Sequence, residues 1–152
     1  GSGLNYNSPS IFAIFYNVQN PELASKIAII AAFSFMLIIL AVCFVCRRRL
    51  NEKTILAVAF LFAVGIPFLL PHMHDRYFFL CDILSLILAF SFPIFSLAAP
   101  LAQFASILGY HAYLKMQWLL TMDYGASALI VVIALGIIFF IYSLLDENKK
   151  II

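Results

Sequence analysis

Charge is what this chain has least of: Asp, Glu, Lys and Arg make up 11% of its 152 residues, against 65% hydrophobic ones, and mean hydropathy is +1.08. A soluble domain averages about 45–50% apolar and about 25% charged residues. Folding in water cannot hide so much apolar surface, which excludes a soluble globular domain and points to an integral membrane protein. The net charge of +2 is too small to suggest nucleic acid as a partner. Cysteine is scarce as well. Cys43, Cys46 and Cys81 do not make a disulfide framework, and the CxxC spacing of Cys43-Phe44-Val45-Cys46 lacks the second pair that a metal or redox motif would want. A glycine-rich phosphate loop, a nucleophile elbow and an Asp-x-Asp pair are all missing, so the familiar soluble routes to phosphate and acyl chemistry have no signature.

What the chain has in quantity is apolar sequence cut into runs of membrane-crossing length. A helix needs roughly 20 apolar residues to cross a hydrocarbon core about 30 Å thick. Gly1-Ser2-Gly3 reads as an expression scar and is set aside. With no initiator Met, the chain is expected to begin at a cut in a longer protein. Residues 4–23 open with LNYNSPSIFAIFYNVQNP, too short and too interrupted to span, and read as an interfacial segment with Tyr6 and Tyr16 at headgroup depth. Residues 24–152 read as an all-α membrane domain of about five helices, with spans at about 27–45, 54–70, 77–92, 94–114 and 126–145. Glu22 and Lys26 flank the first span, and Arg47-Arg48-Arg49 stop it. Pro67 is expected to kink the exit of the second by removing a backbone donor, and Pro71 to end it. The run from Tyr77 to Leu114 is too long for one crossing, so it divides into two helices at a tight turn within 92–100, where Pro93 and Pro100 fall. Lys115 to Gly125 marks a polar, aromatic interface before the last span, and the 16 phenylalanines read as lipid-facing and packing residues.

Basic residues choose the orientation. Cytoplasmic loops carry an excess of Lys and Arg, which puts the Arg47–Arg49/Lys53 loop and the Lys149-Lys150 tail on the same side. An even number of crossings must then separate them. Five spans satisfy this, whereas merging Tyr77–Leu114 into one span exports the tail. The expected arrangement is a multi-pass cell-membrane protein with its N-terminus outside and its C-terminus cytoplasmic. The 4–23 segment, the Pro71–Phe79 stretch and the Lys115–Gly125 turn then share the extracytoplasmic face.

In Pro71-His72-Met73-His74-Asp75-Arg76-Tyr77-Phe78-Phe79 two imidazoles, a carboxylate and a guanidinium fall within five residues, between apolar runs. A charge at the centre of a membrane helix costs about 2.5–3.5 kcal/mol on insertion scales, so the cluster sits at the membrane edge or is held there by function. His72 and Arg76 are four apart and share a face if the third helix extends back to them, which leaves His74 on another face. His-x-His is then no single-face metal pair. A zinc site would want three or four ligands. Asp75 and Asp82 are the further candidates, at spacings that diagnose nothing, so no cofactor is identified and a divalent metal stays open. A second reading is a plain hydrophilic outer loop, although such loops draw on Ser, Asn, Gly or Lys rather than on His and Arg between proline and aromatics. A third is an anion site, because Arg forks onto phosphate through two donors and His adds more. Asp82, about a turn and a half past Arg76, either pairs with it or stands as an interfacial carboxylate. His111, in Gly109-Tyr110-His111-Ala112-Tyr113, reads as a hydrogen-bonded helix-end residue.

The words LNYNSPSIFAIF and LLPHMHDRYFFLCDILSLILAF together resemble the C-terminal part of bacterial GT-C-type glycosyltransferases, polytopic enzymes related to the mannosyltransferases of the glycosylphosphatidylinositol pathway. Those proteins carry a Tyr-Asn-Ala-x-Asn-hydrophobic-Trp stretch, a span, a basic loop, another span and Pro-x-Met-His-Glu/Asp-Arg-Tyr-Phe. An Asp and a proline-broken apolar run follow. Tyr6 and Asn7 match the first word, with Ser10 where Asn is common and Phe12 where Trp is usual. Pro71, Met73, His74, Asp75, Arg76, Tyr77 and Asp82 match the second, and the resemblance covers most of residues 4–145. It implies sugar transfer from a polyprenyl-phosphate donor at the extracytoplasmic face, the side that charge selects independently. On this reading His72, His74 and Arg76 contact the lipid phosphate, Asp75 or Asp82 orients Arg76, and Tyr77, Tyr6 and Asn7 support the site. The catalytic base assigned in that family is an acidic residue in the first outer loop, far upstream, and nothing here matches it. The chain is therefore expected to be a C-terminal piece whose partners are the bilayer, the lipid-linked sugar and a missing N-terminal half, inactive alone. The rival readings are a metal- or proton-coupled transporter module using His72, His74, Asp75 and Asp82, and a non-catalytic membrane scaffold.

Overall fold

Asparagine side chains cap the starts of the first two long helices of this chain. In the computed structural model, which describes residues 3–15 and 17–146, a two-residue strand β1 (Asn5–Tyr6) and a single helical turn α1 (Ile11–Ile14) come first. The long helix α2 (Pro21–Val45) follows, opened by Asn20, whose side chain accepts from the Leu23 N–H, and by Pro21 in its first turn. A 3₁₀ turn at Arg47–Arg49 leads to α3 (Glu52–Leu69). There Asn51 accepts from the Thr54 N–H while Thr54 Oγ1 accepts from the Asn51 N–H, a reciprocal cap. Then come β2 (Met73–His74), a 3₁₀ turn at Asp75–Phe78, α4 (Phe79–Ala89), α5 (Phe95–Lys115) and α6 (Met122–Leu145). Tyr16 and the Lys149-Lys150 tail lie outside the described residues.

Among the described residues three helices, α2, α3 and α6, are long and apolar enough to cross a membrane. They correspond to the first, second and last expected spans, with earlier starts. α2 begins at Pro21 rather than Ile27 because Asn20 caps it and Glu22 and Lys26 pair at 2.7 Å along its first turns. α6 begins at Met122 rather than Ala126. α5 matches the fourth expected span closely but carries Pro100, Gln103, His111 and Lys115 and is less apolar. The third expected span departs most. Its helix covers only Phe79–Ala89, roughly 17 Å of rise. Pro71 follows α3, His72 takes a φ of 59°, and Met73–His74 extend to pair with Asn5–Tyr6. The backbone bonds sideways there instead of along a helix, so the expectation that His72 and Arg76 share a helical face is corrected. The turn between α4 and α5 falls at 90–94, and Pro100 is taken up inside α5.

The core lies where α3, α5 and α6 meet, with α4 against α5 and α2 on the outer side of α3. Phe95 meets Phe60 and Phe139 edge-on, at centroid separations of 4.8 and 5.1 Å. Gly136 lets α6 close on α3, since a Cβ there would lie 2.9 Å from Leu61 Cδ2. The ends of α3 and α6 define two ends of the bundle. At one, Asn51 Nδ2 donates to Ser143 O at 2.6 Å, Ser143 Oγ meets Thr54 Oγ1 at 3.0 Å, and Lys53 pairs with Asp146. At the other, β1, α1, β2 and the Asp75–Phe78 turn cover the C-terminal half of α5 and the start of α6.

The buried Asn51 network gives a direct expectation. Asn51→Ala removes a cap and leaves the Ser143 carbonyl short of a donor, so it should destabilise by about 2 kcal/mol. Asn20→Ala removes only an exposed cap and should cost about 1 kcal/mol or less. Thermal unfolding followed by circular dichroism in detergent separates them; equal midpoints would show that the Ser143 bond contributes nothing.

Candidate functional site

Two polar segments far apart in sequence are joined here by backbone hydrogen bonds. β1 and β2 pair in parallel, with Asn5 opposite Met73 and Tyr6 opposite His74. The His72 N–H donates to Leu4 O at 2.8 Å, and its Nδ1 lies 2.6 Å from Gly3 O. A carbonyl can only accept, so Nδ1 carries the proton. Asn5 ties the strand into the next turn, donating from Nδ2 to Ser8 O at 2.9 Å and accepting the Ser8 N–H at Oδ1 at 3.0 Å. Asn7, between them, has a φ of 58°, a left-handed conformation that Asn tolerates better than most residues.

Side chains then stack on this ladder. The Tyr6 ring lies over the His74 imidazole at 4.8 Å with the planes 14° apart, and Tyr77 approaches His74 at 6.1 Å. The Arg76 guanidinium carbon stands 5.9 Å from the centre of the Tyr77 ring. His72, Arg76, Tyr77 and Tyr6 are exposed, His74 is half-buried and Asp75 is buried. An accessible guanidinium and two imidazoles with aromatic flanks form a donor-rich surface suited to an anion.

α5 is the platform behind it. Gly109 lies so close to both segments that an added Cβ would stand 3.0 Å from Asp75 Cβ and 3.2 Å from the Asn7 carbonyl. At Gly125, on α6, an added Cβ would meet Pro9 Cβ at 3.2 Å. Asp82 takes no part in orienting Arg76. Its Oδ1 accepts from Ser106 Oγ at 2.8 Å, and its carbonyl accepts from Ser85 Oγ at 2.9 Å and Gln103 Nε2 at 3.1 Å, which ties α4 to α5. Among the described residues neither Asp75 nor Asp82 lies within ion-pair distance of Arg76, so that pairing is corrected. His111 Nδ1 bonds Gln117 O at 3.0 Å, the helix-end role expected of it.

Residues outside the sequence reading also shape the site. Gln103, Ser106 and Gly109 recur every third residue on α5, a polar and small stripe through the middle of the helix, and that spacing is the signal that could have found them. Ser8 and Ser10 are fully buried in the first segment, and among the described residues neither hydroxyl has a hydrogen-bond partner. No group of three His, Cys, Asp or Glu side chains that could hold a metal ion occurs among the described residues.

The Tyr6–His74 stack should hold the ladder together. Tyr6→Ala is expected to speed exchange of the His72 amide by up to about tenfold, the equivalent of an aromatic pair, while Tyr6→Phe leaves it unchanged. Hydrogen exchange read by mass spectrometry on the 70–78 peptide checks this. Comparison of the chain with protein-family models, with curated proteins and with solved structures found no match.

Proposed function

We propose that this chain contributes the phosphate-facing half of a membrane glycosyltransferase site that takes its sugar from a polyprenyl-phosphate donor, as the mannosyltransferase-like resemblance implies. One observation carries the reading: the two words on which the resemblance rests form one hydrogen-bonded unit, with Tyr6 of the first stacked on His74 of the second. As the glycosidic bond to phosphate breaks, negative charge grows on the departing lipid phosphate. Cationic groups fixed in advance at that position lower the barrier. Arg76 supplies the fork, and the imidazoles of His72 and His74 supply further donors. Asp75 and Gly109 hold the turn against α5, and Asp82 fixes α4 to the same helix. The carboxylate that activates the acceptor comes from another segment.

The same proposal takes five crossings, with α4 and its preceding turn as the third and α5 as the fourth. The Arg47–Arg49 turn and the α4–α5 turn fall at the Asn51–Ser143 end of the bundle, where Phe92 packs on Phe139 at 4.7 Å. Alternating crossings require that grouping, and the positive-inside rule then makes that end cytoplasmic and turns the His74–Arg76 surface outward.

Binding tests the phosphate role directly. The purified chain in nanodiscs is expected to bind polyprenyl monophosphate at least about tenfold more tightly than the polyprenol of equal length, in keeping with charge-assisted bonds. Equal binding of the two would sink the reading. Alanine across 72–76 should abolish the difference; if it changes only stability, the scaffold reading stands instead.

A further inference from the structure

The basic turn at the other end of the bundle has the features of a binding site of its own. Arg47, Arg48 and Arg49 form the 3₁₀ turn between α2 and α3, and all three are exposed. With Phe44, Val45 and Cys46 they line an open depression of about 580 Å³. Phe44 is 70% exposed and Val45 81%, so the lining joins bare apolar side chains at the end of α2 to three consecutive guanidiniums. The Arg47 guanidinium carbon stands 5.3 Å from the centre of the Phe44 ring, which partly fixes it in place. Among the described residues none of the three arginines is ion-paired with a carboxylate. Lys53, the next cation along, pairs instead with Asp146.

A topology signal requires positive charge and no particular shape. This turn offers more. Guanidinium forks match phosphate oxygens two at a time, which an ammonium cannot do. They also sit at the C-terminal end of α2, where the helix dipole favours cations. The adjoining apolar side chains belong to a helix long and apolar enough to cross a membrane, so an occupant there has a charged end on the turn and a greasy end along the helix. A free phosphate would use only the first of these surfaces. A zwitterionic headgroup would bring its own cation against the arginines.

We propose that this depression binds an anionic phospholipid, its phosphate on Arg47–Arg49 and its acyl chains along Phe44 and Val45. The site lies on elements other than the His74–Arg76 surface and does not depend on the transferase reading.

Native mass spectrometry of the purified chain, released from mild detergent, tests it with phosphatidylglycerol and phosphatidylcholine of identical chains and with glycerol phosphate as the bare headgroup. Phosphatidylglycerol should be retained about tenfold better than phosphatidylcholine, on the strength of basic-residue attraction to anionic lipid. Glycerol phosphate should compete poorly. Arg47→Gln, Arg48→Gln and Arg49→Gln together should bring the two lipids close to parity. If that variant fails to insert, the triple change to lysine keeps the charge and still decides, with an expected fall in preference of about threefold from loss of the forks. Parity in the unaltered chain, undiminished preference in the glutamine or lysine variant, or displacement of lipid by equimolar glycerol phosphate would each overturn the proposal.

Discussion

On the proposed transferase reading, Arg76→Ala in an enzyme assembled with this chain is expected to lower sugar transfer by about 100-fold or more while leaving the fold almost untouched. The two halves of that statement come from different observations. Arg76 is exposed, and its guanidinium carbon stands 5.9 Å from the centre of the Tyr77 ring. An exposed change of this kind shifts stability by about 0.5–1 kcal/mol. A cation aimed at charge that develops in the transition state is worth far more, and removal of one such preorganised donor commonly costs about 10²–10³ in rate. Arg76→Lys keeps the charge but not the fork, so it should fall between, near a tenfold loss. Tyr77→Phe keeps the ring under the guanidinium and should behave like the unaltered protein. Initial rates of transfer from a polyprenyl-phosphate sugar, at matched protein and with unfolding midpoints recorded, check the series. Transfer within about threefold of normal in Arg76→Ala would remove Arg76 from the mechanism, because no smaller contribution is consistent with a charge-stabilising role.

Much of the helical frame was legible because hydropathy and punctuation agree. α3 opens at the Asn51 cap and, after Glu52-Lys53-Thr54, is apolar up to Pro71 with Pro67 taken up inside it, and the apolar run of α6 after its first turn is similarly clean. The misplaced start of α2 shows what happens when they disagree. Asn20-Pro21-Glu22 is a helix-start signal in its own right, but the apolar count begins at Ile27, and a helix does not stop where lipid-compatible sequence does. The third expected span, whose helix is shorter than the apolar run, departs for a different reason. Residues 77–92 look continuous, yet residues 72–74 bond to the N-terminal segment, a 3₁₀ turn follows at Asp75–Phe78, and the helix itself covers only Phe79–Ala89. Two-residue strands are too short to show an alternating pattern, and a histidine at positive φ has no sequence signature.

The candidate site was legible as two lists and not as one object. Tyr6, Asn7, His74 and Arg76 stand out by residue type, but their joining depends on a pairing between segments separated by two long helices. Counting along a single helix offers Arg76 as one partner for Asp82, beside a plain interfacial role. Its partner Ser106 comes from the neighbouring helix of a hairpin, which such counting cannot reach. The sequence offers Asp75 as a candidate ligand or as the acid orienting Arg76, with no sign of its burial. It is buried because the 3₁₀ turn that carries it presses on α5 at a glycine.

That contact makes Gly109→Leu the substitution expected to separate site from bundle most sharply. Even a Cβ at this position would stand 3.0 Å from Asp75 Cβ and 3.2 Å from the Asn7 carbonyl, and the second of these is backbone that no rotamer change can move. A leucine adds a further branched volume, so the Asp75–Phe78 turn and the Asn5–Asn7 segment must both lift from α5. Overpacking of this kind costs about 1–3 kcal/mol. The Phe60–Phe95–Phe139 cluster that joins α3, α5 and α6 is not part of this contact. The damage should therefore be local: the bundle stays helical while the β1–β2 ladder opens. Asn5→Cys with Met73→Cys, in a background with Cys43, Cys46 and Cys81 changed to alanine, places a thiol pair at one register position of that ladder. Oxidation should cross-link the pair readily with Gly109 present and at least about fivefold more slowly with leucine there, since an opened ladder leaves the thiols beyond bonding reach. Binding of polyprenyl phosphate should fall in parallel. Gly136→Leu, which overpacks against Leu61 and Phe60 at the α3–α6 crossing, should do the reverse, lowering the unfolding midpoint while the cross-link survives in whatever protein stays folded. If Gly109→Leu left both cross-linking and lipid-phosphate binding intact, α5 would not be the platform of the site, and the joined segments would have to be held by their own hydrogen bonds alone.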